Sequence, residues 1–436
     1  MARLAIEQFQ RVGDDLAPNF DIAISGKDAS GANELYSAIR PLIASVAYED
    51  DEEMSSLFEL TVINQPDTSY GMPVDWRAVI DSKAFAEGNT VDLWMGYGAS
   101  RVFMDRVEIV KWLPSFSENG PTTFTIKGFD GRHKMMQGNQ FRVKTSGNKK
   151  RQRKTFFKNT PDESIVKKIA EKYGYGVDVD ITEIKKQVKT RVQGTDLTDW
   201  QFLQKLADIN RFDLWVDWSE SKKQHVIHFK ERKDTGAAGY LFEYNGGDGS
   251  LLSADPDFNI HDQPTDVEVL YYDKKKRAIE RTIISDATPA ENVKLTDSRI
   301  GQGQMQAKKE LTVGARVRFS AFDQNYEAFS NKPFKSKKAA ARFVQNWIKE
   351  REREFLIMQG KVVGVPTLRS RQIHEIRGLG KRLDGLYRFT NVKHVMAPGQ
   401  FYNCEFTAHK VVSQMVARGK PTTTVQVATD QVQQAG

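Results

Sequence analysis

Residues 194–218, GTDLTDWQFLQKLADINRFDLWVDW, decide how this chain is read. Thr198 has an N-cap side chain, with Leu197 before it and Phe202 one turn on as a hydrophobic staple, so a helix is predicted to start near Asp199. Trp200, Leu203, Leu206, Ala207 and Asn210 recur at spacings of three and four, which puts one largely apolar stripe against a sheet or another helix. After Asn210 the period becomes two. Phe212, Leu214 and Val216 alternate with Asp213, Trp215 and Asp217, the pattern of a strand. Helix then strand makes a mixed α/β unit, and nothing in it has a catalytic pattern.

Upstream, Thr160-Pro161-Asp162-Glu163 reads as an N-cap, a proline at N1 and a capping-box glutamate. Ile165, Val166, Ile169, Ala170 and Tyr173 form the apolar face of that helix, and Gly174 supplies the stop. An α/β middle domain is predicted over 159–235. Before it, alternating stretches at 20–25, 57–62, 90–95, 101–112 and 122–129 predict a first β-barrel over 20–140, preceded by an arm at 1–19. Residues 141–158, FRVKTSGNKKRQRKTFFK, hold no acid and form a basic connector. Downstream, strands at 240–244, 265–272, 278–285, 386–395 and 401–412 predict a second β unit over 236–412, with an insertion at about 286–335. Ala340, Phe343, Val344, Trp347 and Ile348 stripe a helix over 336–355 that packs along a sheet and ends in the charged run Lys349, Glu350, Arg351, Glu352 and Arg353. The turn 397–400 joins the last strands, and 413–436 reads as a flexible tail. The fold class is therefore α+β and β-rich.

Two clusters of charge are the candidate interaction loops. Glu49, Asp50, Asp51, Glu52 and Glu53 form an acidic run placed at a hairpin tip of the first barrel, and Lys149, Lys150, Arg151, Arg153 and Lys154 dominate the basic connector. The readings left open for the connector are a solvated loop, pairing with the acidic run of another protomer, and contact with DNA or an acidic partner. With 64 Lys and Arg against 57 Asp and Glu, the formal charge of +7 is compatible with all three.

Catalytic chemistry finds no foothold in the sequence. The seven histidines include no H-E-x-x-H, and His225 and His228 stand three apart on a strand, on opposite faces. Gly301-Gln302-Gly303 lacks the third glycine of a dinucleotide loop, and neither a P-loop nor a G-x-S-x-G elbow occurs. Cys404 alternates with Tyr402, Phe406 and Ala408 on a strand and reads as a core thiol. No catalytic, cofactor-binding or metal residue is assigned. No apolar run reaches the length of a membrane helix, and the N-terminus lacks a secretory signal, so folding in a cytoplasm is expected.

The wording of 194–218, together with 359–380 (QGKVVGVPTLRSRQIHEIRGLG), 383–395 (LDGLYRFTNVKHV) and the strand FYNCEFTAHKVV, resembles the hub proteins of contractile injection machines. That family takes in the baseplate hub of contractile-tailed phages, late control protein D of temperate phages, and the N-terminal part of type VI secretion valine-glycine repeat proteins. Arg369-Ser370-Arg371 is a departure, since a glycine-containing turn would be expected there. The resemblance implies two tail-tube-like barrels and a homotrimer presenting six of them as a pseudo-sixfold ring. Such a ring joins a hexameric tail tube to a trimeric spike, held here by a separate chain, and passes DNA or effector through its lumen. Baseplate wedge and tape measure proteins are further candidate partners, and the virion tail baseplate is the expected location. The alternatives are a hub-like tail protein that hydrolyses peptidoglycan, and a nucleic-acid-binding protein that uses the basic loop.

Overall fold

The computed structural model describes residues 17–26, 32–64, 83–118, 121–137, 143–146, 149–152, 155–181, 190–233, 238–245, 250–259, 266–285, 326–334, 336–397 and 401–411. Arg153, Lys154, the tail at 413–436, most of the arm and most of the insertion lie outside them, as does the turn at 398–400. The chain is α+β and β-rich, and it divides into two compact units, Met1–Lys233 with Lys361–Gln372 and Phe389–Phe406, and Asp234–Gly360 with Ile373–Arg388 and Thr407–Gly436.

In the first unit, strands β1 (Pro18–Ser25), β2 (Ile43–Asp51), β3 (Leu57–Asn64), β4 (Thr90–Tyr97), β5 (Ser100–Ser115) and β6 (Thr122–Phe129) pair in the order β1-β4-β5-β6-β3-β2. The strand Gly385–Met396 then joins β2 antiparallel, from Val46↔Met396 to Asp51↔Asn391. Alternation explains the core. Val46 and Tyr48, Phe58, Leu60 and Val62, Val91, Leu93 and Met95, and Phe124 and Ile126 turn to one side and are buried. Among the described residues the strand order is an open path, so neither of the two expected barrels is closed.

The short strands β7 (Val143–Ser146) and β8 (Lys149–Gln152) form a two-stranded ribbon, and β9 (Thr155–Phe157) pairs with β11 (Arg191–Gln193). β10 (Gly176–Val179), β13 (Gln224–Glu231) and β12 (Phe212–Ser219) make a three-stranded sheet in the order β10-β13-β12. Helices Asp162–Tyr173 and Asp199–Asn210 close over it, and Trp200, Leu203, Leu206, Ile165, Ile169, Val216 and Phe229 share one buried cluster.

The helix Asp199–Asn210 starts where its sequence says it should. Thr198 Oγ1 accepts from Gln201 N at 3.1 Å, and Gln201 Oε1 accepts from Thr198 N at 3.0 Å, a complete capping box. It ends at Arg211 with φ 58°, a left-handed residue that no glycine announces. The helix Asp162–Tyr173 begins one residue later than its sequence suggests. Pro161 takes the cap position without a side-chain bond, and Thr160 Oγ1 instead donates to Lys158 O at 3.1 Å.

In the second unit, β14 (Leu241–Glu243) runs parallel to β20 (Ile373–Arg377), which pairs antiparallel with the start of β21 (Gly385–Met396). β15 (Leu251–Phe258), β19 (Leu356–Val363) and β22 (Asn403–Lys410) lie in the order β15-β19-β22. A separate sheet runs β17 (Ala278–Ser285), β16 (Asp266–Asp273), β18 (Tyr326–Phe334). β18 falls inside the stretch read as an insertion, and it pairs parallel with β16. The predicted stripe of the helix Lys337–Arg353 lies on this sheet, with Ala340, Val344 and Ile348 packed against Val267 and Val269.

Candidate interaction site at the acidic run

β2 carries Glu49, Asp50 and Asp51 to its end, and Glu52 and Glu53 enter the connection to β3. Among the five, only Glu53 is exposed. Asp50, at 4% exposure, is buried, because cations distant in sequence converge on it. Arg371 Nη2 reaches both of its oxygens at 2.8 and 3.0 Å, and Ser370 donates through its backbone N at 3.0 Å and its hydroxyl at 2.9 Å. Arg371 sits at φ 68°, the conformation a glycine turn would supply, and this is what became of the departure at 369–371. The guanidinium that a glycine would lack is the one that meets Asp50.

Arg132 stands on the other side, fully buried. Its Nε donates to Asp130 at 2.6 Å, Nη2 to Ser56 Oγ at 2.8 Å, and Nη1 to the Asp51 carbonyl at 3.0 Å. Burial pushes the Asp50 carboxyl up, but Arg371 and Arg132 outweigh it and hold the group at about 2. The rest of the run is matched in the same way. Arg232 bridges Glu52 at 2.9 Å and Asp213 at 2.6 Å, Asn391 donates to Glu49 at 2.7 Å and Asp51 at 2.8 Å, and Gln204 donates to the Glu53 carbonyl at 3.2 Å. Four of the five acids therefore meet partners within the chain through their side chains. Together they tie the β2–β3 connection to the α/β part of the same unit.

A second buried carboxylate follows the opposite rule. Asp105 accepts from Arg106 N at 2.8 Å, from Trp218 N at 3.1 Å, and from the Tyr48 hydroxyl at 3.4 Å. Among the described residues no cation pairs with it. Burial first, then the nearby Asp130, raise its carboxyl well above the usual range. Neither Asp105 nor Arg132 stood out in the sequence, and Arg371 did so only as part of the departure at 369–371, because the distant partners that give them their roles lie 57 to 321 residues away: Tyr48 and Trp218 for Asp105, Ser56 and Asp51 for Arg132, and Asp50 for Arg371.

The basic connector is described in part. Lys149, Lys150 and Arg151 lie on β8, in register with Ser146, Thr145 and Lys144 of β7. Arg153 and Lys154 fall outside the described residues.

Cys404 and His394, which together have the elements of an activated nucleophile, are sealed in the core. His394 Nδ1 lies 3.3 Å from Cys404 Sγ and 2.6 Å from the Tyr402 hydroxyl, with all three side chains in the core. Burial pushes the thiol up to about 12 and the imidazole down to about 3, the reverse of what an activated thiolate–imidazolium pair requires. His225 packs on Tyr175, while His228 stacks on Trp215 between Asp178 and Asp217, so the two diverge as their spacing implies. Among the described residues no group of three His, Cys, Asp or Glu side chains has the geometry to hold a metal ion, and no helix is long and apolar enough to cross a membrane.

No protein-family model matches the chain, and no curated protein matches it by sequence. Solved structures do. The 43 kDa tail protein of prophage MuSo2 from Shewanella oneidensis is 13% identical, and the likeness covers 91% of this chain and 99% of that one at a TM-score of 0.59. The tail protein from Neisseria meningitidis MC58 is 8% identical, covers 84% of this chain and 92% of its own, and superposes at a TM-score of 0.54. The chain has the fold of these tail proteins.

Proposed function

We propose that this chain is a structural, non-enzymatic baseplate hub of a contractile tail. Three copies form a pseudo-sixfold ring that meets the hexameric tail tube on one rim and the trimeric spike on the other, and cargo passes through the lumen. The observation that carries the reading is the fold shared along 91% of the chain with a prophage tail protein. The resemblance of 194–218 to hub proteins narrows the tail role to the hub. The chemistry of the buried polar groups agrees with a load-carrying part, since Asp50, Arg132 and Arg371 are spent on holding the fold together. Negative-stain microscopy of the concentrated chain, alone and with a tail tube protein, is expected to show rings of three copies. A zymogram on peptidoglycan is expected to stay dark. Clear lysis that is lost on replacing one carboxylate would overturn the non-enzymatic part of the proposal.

A further inference from the structure

The sheet of β16, β17 and β18 ends in a hairpin whose turn, residues 274–277, is Lys274-Lys275-Lys276-Arg277, and all four residues are exposed. Asp273 Oδ1 accepts from the backbone N–H of Lys275 at 2.8 Å and of Lys276 at 3.3 Å, and Arg277 adopts φ 53°, so the turn is held in one shape. Lys276 meets Glu280 at 3.3 Å. Lys274, Lys275 and Arg277 have no ion-pair partner among the described residues. On the ribbon behind them Tyr272 stands opposite Ile279, and the two are 41% and 58% exposed.

We propose that this hairpin is a nucleic-acid-binding site, in which Lys274, Lys275 and Arg277 grip the phosphate backbone and Tyr272 offers its ring to an unstacked base. The site is separate from the basic connector at 141–158, and it stands or falls independently of the hub reading. Three unpaired cations on a fixed turn match a row of phosphates, whose binding is driven by release of condensed counterions. A single exposed aromatic beside them suits a base, every one of which has a face to stack. A folded acidic protein fits less well, because a stable protein interface takes about 800 Å² from each side around an apolar centre. Among the described residues of the ribbon, the large apolar side chains left exposed are Tyr272 and Ile279.

Fluorescence anisotropy with the full chain and a mixed-sequence single-stranded DNA oligonucleotide tests the site. Each phosphate contact contributes about 0.7 to the salt slope, so three contribute about 2, and between about 50 and 200 mM salt the unsubstituted chain is expected to lose about 20-fold more affinity than Lys274→Gln/Lys275→Gln/Arg277→Gln. Tyr272→Ala is expected to weaken the single strand about tenfold and to weaken a duplex of the same sequence less. A control carrying Lys149→Gln/Lys150→Gln/Arg151→Gln should retain the hairpin's share of the slope. Equal salt slopes for the unsubstituted chain and the triple hairpin variant would overturn the proposal. So would competition by polyglutamate, or by vesicles of anionic lipid, as effective as competition by unlabelled DNA, a measurement that needs no substituted chain.

Discussion

Five acids stand in a row at the end of β2 and four cations in a row between β16 and β17, yet Asp50 is 4% exposed while the Lys276 side chain is 64% exposed. What separates them is whether the chain supplies a counter-charge. Arg371 and Arg232 come from far along the sequence to meet Asp50 and Glu52, and Arg132 meets the Asp51 carbonyl, whereas among the described residues Glu280 alone pairs with a cation of the turn. Density of charge in a sequence marks a site of consequence without saying whether the consequence is internal. A matched cluster contributes to the fold, and an unmatched one is left for a partner.

The largest effect expected from breaking this contrast comes from Arg371→Ala or Arg132→Ala. Each strands a buried carboxylate, Asp50 in one case and Asp130 in the other, and should cost about 3 to 5 kcal/mol in urea unfolding. A loss under about 1 kcal/mol would mean that the acidic run is not the internal clamp described above. Trp200→Ala, which empties a site that is 1% exposed at the centre of the α/β cluster, should cost a similar or slightly smaller amount, about 3 to 5 kcal/mol.

Acid should act next. Asp50 has a folded value of about 2 against an ordinary 3.8, so its contribution is complete above about 4 and disappears as pH falls towards 2, about 2 kcal/mol in all. His394 and His225, held neutral by burial at about 3 and about 4, work in the same direction, with their share lost as pH drops below the ordinary value of 6.5. Asp105 has the opposite sign, because its folded value is raised. Its share is present below the ordinary carboxylate value and is lost as pH rises through the folded one. Thermal unfolding at neutral pH should therefore separate Asp50→Asn, which lowers the midpoint, from Asp105→Asn, which leaves it nearly unchanged or raises it. Equal losses from the two would erase the distinction between a matched and an unmatched carboxylate. The smallest effect belongs to Glu53→Gln, whose exposed side chain should move stability by less than about 0.5 kcal/mol.

Local signals carried much of the fold. Thr198 and Gln201 form their capping box because both partners lie within four residues, and Gly174 ends its helix at φ 70° as a C-cap glycine should. Strand 122–129 appears at the bounds its alternation implies, and Cys404 lies buried between Tyr402 and Phe406. The failures are of range. β2 finishes in charged residues, which are normally left in water, and its burial is made tolerable by Arg371 and Ser370 on Asp50 and by Asn391 on Glu49 and Asp51. Arg371 hides a left-handed residue behind a side chain that seldom adopts it, and β18 needs a parallel neighbour, β16, more than fifty residues earlier. The basic turn at 274–277 was visible as four letters between two predicted strands, but its exposure, and the lack of an ion-pair partner for Lys274, Lys275 and Arg277 among the described residues, are properties of the fold.

Native mass spectrometry of the full chain across a concentration series, with and without a tail tube protein and a spike protein, tests whether the proposed hub is trimeric. A species of three 49.5 kDa chains is expected, alone or once the spike is added. A chain that remains monomeric at the highest concentration and also with both partners present would contradict it.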